Sequence, residues 1–376
     1  MRTVYFDNAA TTFPKPQEVM QAVDDALRNC GNPGRGSHKL SLKASELVYN
    51  CREAAAEMFS ANAENVSFTM NATQSLNFAI KGLVNKGDHV LIDNFAHNAS
   101  YRPLMAMCSA GYCSADVYDG LNVESIYSKL KDNTAIIIAT HQSNISSDTI
   151  NIEKIGQICR ENGIKFIVDA SQSAGHIPID VQKMNITALC MPGHKGLFSP
   201  MGVGLLISAP DTHYKTLIEG GAGINSLDQA MPDELPERLE AGTVPLAAIA
   251  GLNAGIKFVN KIGIRRIHEH ECEITDYIYR QMTKNMGFDF YGSCDGPVLS
   301  FNVKGKLPSK IGECLSKNGV CIRTGYHCAP LAHKTLGSIE NGSVRVSVSY
   351  LNKKSEAEIF VRELFRELKR DDVKNY

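Results

Sequence analysis

AIIIATHQSNISSDTINIEKIGQICRENGIKFIVD, residues 135–169, decides the fold. It opens on Ala135-Ile136-Ile137-Ile138 and closes on Lys165-Phe166-Ile167-Val168, two short β-branched runs that read as buried strands. Between them, after a turn around Ser146-Ser147-Asp148, Ile152, Ile155, Ile158 and Cys159 recur at helical spacing. Strand, helix and strand in this order make a βαβ unit, the building block of parallel sheets. Working outward, His89-Val90-Leu91-Ile92 and the run Ile186 to Met191 read as further buried strands. Gly202 to Ile207 reads as another, with glycines that permit close backbone approach. The expected fold class is α/β, with a large domain built on a mostly parallel sheet.

Beyond about Gly255 the texture changes, because Pro297 to Val303 and Ser343 to Ser349 alternate like strands between helix and turn signals. A smaller α+β domain is expected there, ending in a helix from about Ser355 that carries Phe360, Leu364 and Leu368 on one face. We place the large domain at residues 16–255 and the small one at 1–15 and 256–376. The N-terminal helix around Val19, Val23 and Leu27 is expected to pack on the small domain.

The chain has 376 residues, and at about 150 residues per domain such a length asks for two domains rather than one core. A formal charge of -1 supplies no general drive toward nucleic acid or an anionic membrane, so small molecules are the expected partners. No basic end precedes an apolar leader, and no run approaches the roughly 18 apolar residues of a membrane span; a cytoplasmic location is expected. The 11 cysteines are odd in number and irregular in spacing, which favours reduced thiols over a disulfide framework. Most are expected to be buried, with Cys159, Cys190 and Cys314 as packing residues.

Several residues carry chemistry, each with a bland alternative. Lys195 lies in Gly193-His194-Lys195-Gly196 after an apolar strand. Lysines at strand ends are usually solvated, but glycines and a neighbouring His suit a restrained amine able to form a Schiff base. Asp169 ends a buried strand, where open α/β sheets place ligand contacts, although it would equally cap the next helix. Paired with Lys195 it suggests a pyridoxal-phosphate enzyme, which needs a lysine and an acidic partner for the pyridine nitrogen. Thr73, in Thr69-Met70-Asn71-Ala72-Thr73-Gln74, starts a helix and serves either a phosphate or an ordinary N-cap. His97 follows a strand and either stacks on a flat ring or caps a helix. Cys328, beside His327 and near Arg323, is either a reactive thiol, half of a Cys–His hydrolase pair, or a structural cysteine. Arg345 is either a solvated strand arginine or a fork for a substrate carboxylate. The tract His268-Glu269-His270-Glu271-Cys272 lacks the spacing of a zinc helix and is read as a solvated helix face, leaving no metal site.

Taken together, YFDNAATT (5–12), VDASQS (168–173), GHKGLFSPMGVG (193–204), LEAGT (239–243), RTGYHCAPLAHKTLG (323–337) and VRVSVSYLN (344–352) resemble the class V aminotransferase family of pyridoxal-phosphate enzymes. The resemblance spans nearly the whole chain and is closest to the cysteine desulfurases of the second group. It implies an aspartate aminotransferase-like fold, with Lys195 as the lysine that carries pyridoxal 5'-phosphate and Asp169 as the partner of its pyridine nitrogen. Gln172 would neighbour the phenolic oxygen, and His97 would stack on the ring and assist proton transfer. Ala72, Thr73 and His194 would cradle the phosphate. Thr243 would reach the phosphate of a second subunit, implying a homodimer. Asn144 and Arg345 would hold the substrate amino acid, with Arg323 and Asn8 near the same pocket.

The activity so implied converts L-cysteine to L-alanine and leaves a persulfide on Cys328, which a sulfur-acceptor protein or small thiol must then remove. Selenocysteine lyase and cysteine-sulfinate desulfinase are alternatives on the same residues. A thiol hydrolase and a non-catalytic sulfur carrier are more distant ones. The chain departs from the family pattern at Ile145-Ser146-Ser147-Asp148, where relatives carry a Gly-Thr pair, and at Pro192, where many carry a serine.

Overall fold

The computed structural model describes residues 3–34 and 36–372. In chain order its first half forms β1 (Val4–Tyr5), α1 (Gln17–Asn29), α2 (Lys39–Phe59), β2 (Val66–Thr69), α3 (Ala72–Leu83), β3 (His89–Asp93), α4 (Asn98–Ser109), β4 (Ser114–Tyr118), β5 (Thr134–Thr140), α5 (Ile152–Glu161) and β6 (Lys165–Asp169). There follow β7 (Ala188–Pro192), β8 (Gly204–Ser208), α6 (Leu246–Ile262), α7 (Ile264–Met282), β9 (Phe288–Tyr291), β10 (Val298–Val303), α8 (Pro308–Lys317), β11 (Val320–Cys321), β12 (Arg323–Gly325), α9 (Pro330–Thr335), β13 (Ser343–Ser347) and α10 (Lys354–Asp372).

These elements divide into two units. The large unit takes Lys15–His141 and Ile150–Ile264. Its seven-stranded sheet has the order β2-β8-β7-β6-β5-β3-β4. All neighbours from β7 through β4 run parallel, while β8 runs antiparallel to both β7 and β2. Helices cover such a sheet, so its strands must be apolar on both faces. Ile136, Ile137 and Ile138 are each 0% exposed, a burial worth about 1.5–3 kcal/mol per side chain. Parallel register brings the strand ends together: Thr140 pairs with Asp169, and Asp169 with Cys190.

The small unit takes the described residues up to Pro14, Gln142–Thr149 and the described residues from Arg265 onward. Its antiparallel sheet has the order β12-β13-β10-β9, and β1 pairs with β11 beside it. Phe288, Phe301, Phe360 and Leu364 share its core, with Leu368 packed against them, so α10 buries the face its four-residue spacing describes.

Three expectations need correction. The domain boundary falls near 264 rather than 255, because α6 runs on to Ile262 and the chain turns at Gly263, with φ 92°. Helix α1 belongs to the large unit, where Val23 packs beside Gly251 of α6, and not to the small one. Residues 142–149 leave the large unit because Ser147 Oγ donates to the Val298 carbonyl at 2.8 Å and accepts the Val298 N–H at 3.1 Å.

Smaller differences follow the same logic. The tract at 268–272 is only partly solvated, since Glu271 is fully buried and His270 Nε2 lies 2.9 Å from the Asn352 carbonyl. Of the cysteines, Cys51, Cys159 and Cys190 are buried, Cys314 is half-buried, and Cys328 is the one exposed among the described residues. The expectation that most are buried therefore fails. Among those residues no helix is long and apolar enough to cross a membrane, and no cluster of three metal-ligating side chains occurs.

Candidate active site

In the large unit, Lys195 sits in the turn between β7 and β8. Main-chain bonds from Gly193 N to the Val203 carbonyl at 2.9 Å and from Phe198 N to the Lys195 carbonyl at 2.9 Å hold that turn. Gly196 is pressed against the chain at 174–176, where a Cβ would lie 2.2 Å from the Ala174 carbonyl oxygen. The lysine is thus carried on a restrained backbone. Next to it, burial and the charges of Lys195 and Lys15 push His194 down to about 4, so its imidazole is neutral near pH 7. Lys15 Nζ donates to the His194 carbonyl at 2.8 Å, and burial pushes this amine down to about 8.

Asp169 closes β6 with 2% exposure and accepts the Ser171 N–H at 2.9 Å. Gln172 is buried just beyond. Asp93, which sequence reading overlooked, closes β3 in the same way. Its carboxylate accepts N–H bonds from Phe95 and Thr140, both at 2.7 Å. Complete burial nevertheless raises it to about 7, the two N–H bonds oppose the rise, and the Asp169 charge adds to it. The aspartate ending the apolar run His89 to Ile92 was the available signal. His141, after β5, was also overlooked; burial lowers it to about 4, and its Nδ1 has no hydrogen-bond partner among the described residues.

The cap of α3 is Asn71, whose Oδ1 accepts the Gln74 N–H at 3.0 Å; Thr73 is therefore not the cap. Ala72 and Thr73 occupy the first turn, where helix geometry leaves N–H groups without intrahelical partners. His97 is the N-cap of α4, its Nδ1 accepting the Ala99 N–H at 3.0 Å. Pro192, at the end of β7 opposite Gly204, offers no N–H and no hydroxyl.

Thr243 is exposed and lines a cavity of about 550 Å³ together with Arg52 and Glu240. Glu240 is anchored by a bidentate pair with Arg52, at 2.7 and 2.5 Å, and by the Phe68 N–H at 2.6 Å.

In the small unit, Cys328 is exposed on a turn whose residues His327 and Cys328 both have positive φ, 47° and 59°. Non-glycine residues in that region cost of order 1–3 kcal/mol each and persist where surroundings over-determine them. His327 is 5% exposed, with Nε2 3.2 Å from the Ser343 carbonyl and 3.1 Å from its hydroxyl. Burial and the charge of Arg345 push it down to about 2, so it is neutral and turned to Ser343, unlike the base of a hydrolase pair.

Asn144 Nδ2 donates to the His327 carbonyl at 2.7 Å. Arg345, 2% exposed, donates from Nη1 to the Asn144 carbonyl and from Nη2 to Asp7 Oδ1, both at 2.8 Å; it is not a solvated strand arginine. Arg323 is exposed and pairs with Arg345 across β12 and β13. Asn8 spends its amide on the Ser347 carbonyl at 2.9 Å and Asn352 Oδ1 at 3.0 Å, which makes it a brace of the small unit. The departure at 145–148 is absorbed locally: Asp148 Oδ2 accepts from Ser146 Oγ at 2.5 Å and Oδ1 accepts the Ser293 N–H at 3.2 Å.

The residues of the large unit fit pyridoxal phosphate on their own terms. They combine a restrained lysine, a buried carboxylate at a strand end, neutral imidazoles and an open helix N-terminus. Residues 4–360 match the family model for class V aminotransferases. Probable cysteine desulfurases of Methanothermobacter thermautotrophicus and Pyrococcus abyssi are each 31% identical, over 95% of this chain and 92% of the relative. The cysteine desulfurase of Thermococcus onnurineus superposes with a TM-score of 0.89 at 29% identity, covering 100% of this chain and 95% of that one. The Escherichia coli cysteine desulfurase CsdA has the same fold, with a TM-score of 0.89 at 22% identity over 98% of this chain and 95% of the other.

Proposed function

The chain belongs to the class V aminotransferase family, and from that membership we propose that it is a pyridoxal-phosphate-dependent cysteine desulfurase. The observation that carries the reading is Cys328, the one exposed cysteine among the described residues, on a turn held in a costly conformation within a chain that matches cysteine desulfurases along nearly its whole length.

Bound pyridoxal phosphate would supply covalent capture of the substrate amine and a sink for the electrons left when the α-proton departs. Lys195 would hold the cofactor and, once released, carry the α-proton. Asp169 would keep the pyridine nitrogen protonated, Gln172 would meet the phenolic oxygen, and His97 would face the ring. Ala72, Thr73 and the neutral His194 would bind the phosphate. Arg345 would take the substrate carboxylate on donors not spent on Asp7 and Asn144, with Arg323 nearby. Cys328 Sγ, as thiolate, attacks the substrate sulfur: an S–S bond forms, the carbon–sulfur bond breaks, and its electron pair stays with carbon, which gains a proton to give L-alanine. The persulfide sulfur then passes to an acceptor protein or small thiol.

Exposed Thr243 supports a homodimer, in which it would reach the phosphate of the second copy. Balanced charge and free cysteines support a cytoplasmic location. Selenocysteine and cysteine sulfinate would use the same residues. The orientation of His327 speaks against a thiol hydrolase, and the restrained Lys195 turn against a sulfur carrier without turnover.

The test is product analysis of the purified protein loaded with pyridoxal phosphate and given L-cysteine and a reductant. Equal amounts of alanine and sulfide are expected. Absence of both from L-cysteine, or their release only from a selenium or sulfinate analogue, overturns the assignment.

A further inference from the structure

One line of hydrogen bonds inside the small unit joins a buried arginine to the backbone of the Cys328 turn. Asp7 Oδ1 accepts from Arg345 Nη2, Arg345 Nη1 donates to the Asn144 carbonyl, and Asn144 Nδ2 donates to the His327 carbonyl at 2.7 Å. That last carbonyl belongs to the peptide plane that leads into Cys328. Because the plane is rigid, holding its oxygen restrains the Cys328 N and Cα, and the φ of 59° at Cys328 then sets the direction in which its side chain departs. His327 is also held at its ring by Ser343, so the residue before the thiol is gripped at both ends. The positive φ values at His327 and Cys328 are the kind of backbone that persists only under such restraint.

The two polar side chains in this line differ in what they have left to offer. Arg345 has five N–H donors, of which these bonds use two, and its buried Nε has no hydrogen-bond partner among the described residues. It keeps a fork for an anion. Asn144 is 7% exposed, and its amide is oriented with nitrogen toward His327, because a carbonyl accepts only from a donor. The bond to His327 uses one of the two Nδ2 hydrogens, and its buried Oδ1 has no hydrogen-bond partner among the described residues.

We propose that Asn144 is a positioning residue for Cys328, acting through the His327 carbonyl. This rests on the desulfurase reading for its kinetic consequence, though not for the tether itself. Arg345 recognises the anion, and Asn144, held at its own carbonyl by the same guanidinium, aligns the thiol that receives sulfur.

The test uses the holoenzyme in four forms: wild type, Asn144→Ala, Cys328→Ala and the double variant. Loss of one hydrogen bond that aligns the thiol should lower kcat for alanine release about tenfold, with KM within about twofold of wild type. Added to Cys328→Ala, the Asn144 change should cost less than about twofold more, because its target is already gone. A tenfold rise in KM at unchanged kcat, or losses that multiply in the double variant, would overturn the proposal.

Hydrogen exchange supplies a readout independent of turnover. Amides of residues 326–329 should exchange about tenfold faster in Asn144→Ala while those of α7 keep their protection. Unchanged exchange at 326–329 refutes the tether whatever the enzyme does. If wild type releases no alanine, the functional reading fails and exchange alone still decides the tether. Should Asn144→Ala lose protection throughout, Asn144→Asp, which keeps the shape and removes the donor, replaces it in both measurements.

Discussion

Replacing Gly196 by alanine should disable the Lys195 turn without unfolding the protein. A Cβ at this position would lie 2.2 Å from the Ala174 carbonyl oxygen and 2.5 Å from the His176 ring. The first neighbour is backbone and cannot rotate away, so relief requires the turn to shift by about 1 Å, and a misplacement of that size costs on the order of a hundredfold in catalysis. Gly202→Ala is the control from the same loop: its φ of 98° also disfavours alanine, but the added Cβ meets nothing within 4 Å among the described residues. The assay is alanine release by both variants, alongside thermal unfolding and the visible absorption of the bound cofactor. Gly196→Ala should keep a cooperative transition, lose turnover about a hundredfold and show an altered cofactor spectrum; Gly202→Ala should lose some stability and little activity. Wild-type turnover by Gly196→Ala would refute the claim that close packing at 174–176 sets the lysine.

Three further outcomes follow from other parts of the structure. Asp93, at about 7 in the fold against 3.8 for the ordinary group, binds its proton more tightly folded than unfolded, so its contribution to stability is present at low pH and is lost as pH rises toward 7. Denaturant titrations of wild type and Asp93→Asn should therefore converge or cross in the variant's favour by about 2–3 kcal/mol between about pH 4.5 and 7.5, and a pH-independent difference would contradict the shift. Glu240→Gln leaves the half-buried Arg52 without its countercharge and should cost about 1.5–3 kcal/mol, while Arg52→Met with Glu240→Leu should cost less; chemical denaturation checks the order. Cys328→Ala should keep the cofactor but lower sulfide release from L-cysteine by about a hundredfold or more, with a smaller loss on selenocysteine, whose selenium leaves readily as an anion; comparison of the two rates decides.

How much of this could be read without coordinates depends on the range of the forces involved. The strands at 135–138 and 165–168 and the intervening helix are local patterns, and the structure extends them by only a residue or two. The turn carrying Lys195 was legible because glycines are visible in a sequence. Gly255 misled for the same reason: it reads as a break, yet it lies inside α6, where a Cβ would meet the Leu197 carbonyl at 2.0 Å. Close approach, not chain reversal, explains it. The membership of 142–149 in the small unit depends on bonds to Val298 and Ser293, about 150 residues away in sequence, which no local pattern encodes. The direction of the His327 ring, on which the hydrolase alternative turned, is likewise set by Ser343 across the sheet.

The central claim is that Cys328 takes sulfur from the substrate, and trapping the product on that residue tests it most directly. The loaded protein would be mixed with L-cysteine without reductant, alkylated within the first turnovers and digested for mass analysis. The account expects one additional sulfur, about 32 Da, on the peptide that contains Cys328 and on none of the other cysteine peptides. Alanine released at the full rate while the Cys328 peptide stays unmodified, or additional sulfur on a different cysteine, would contradict it.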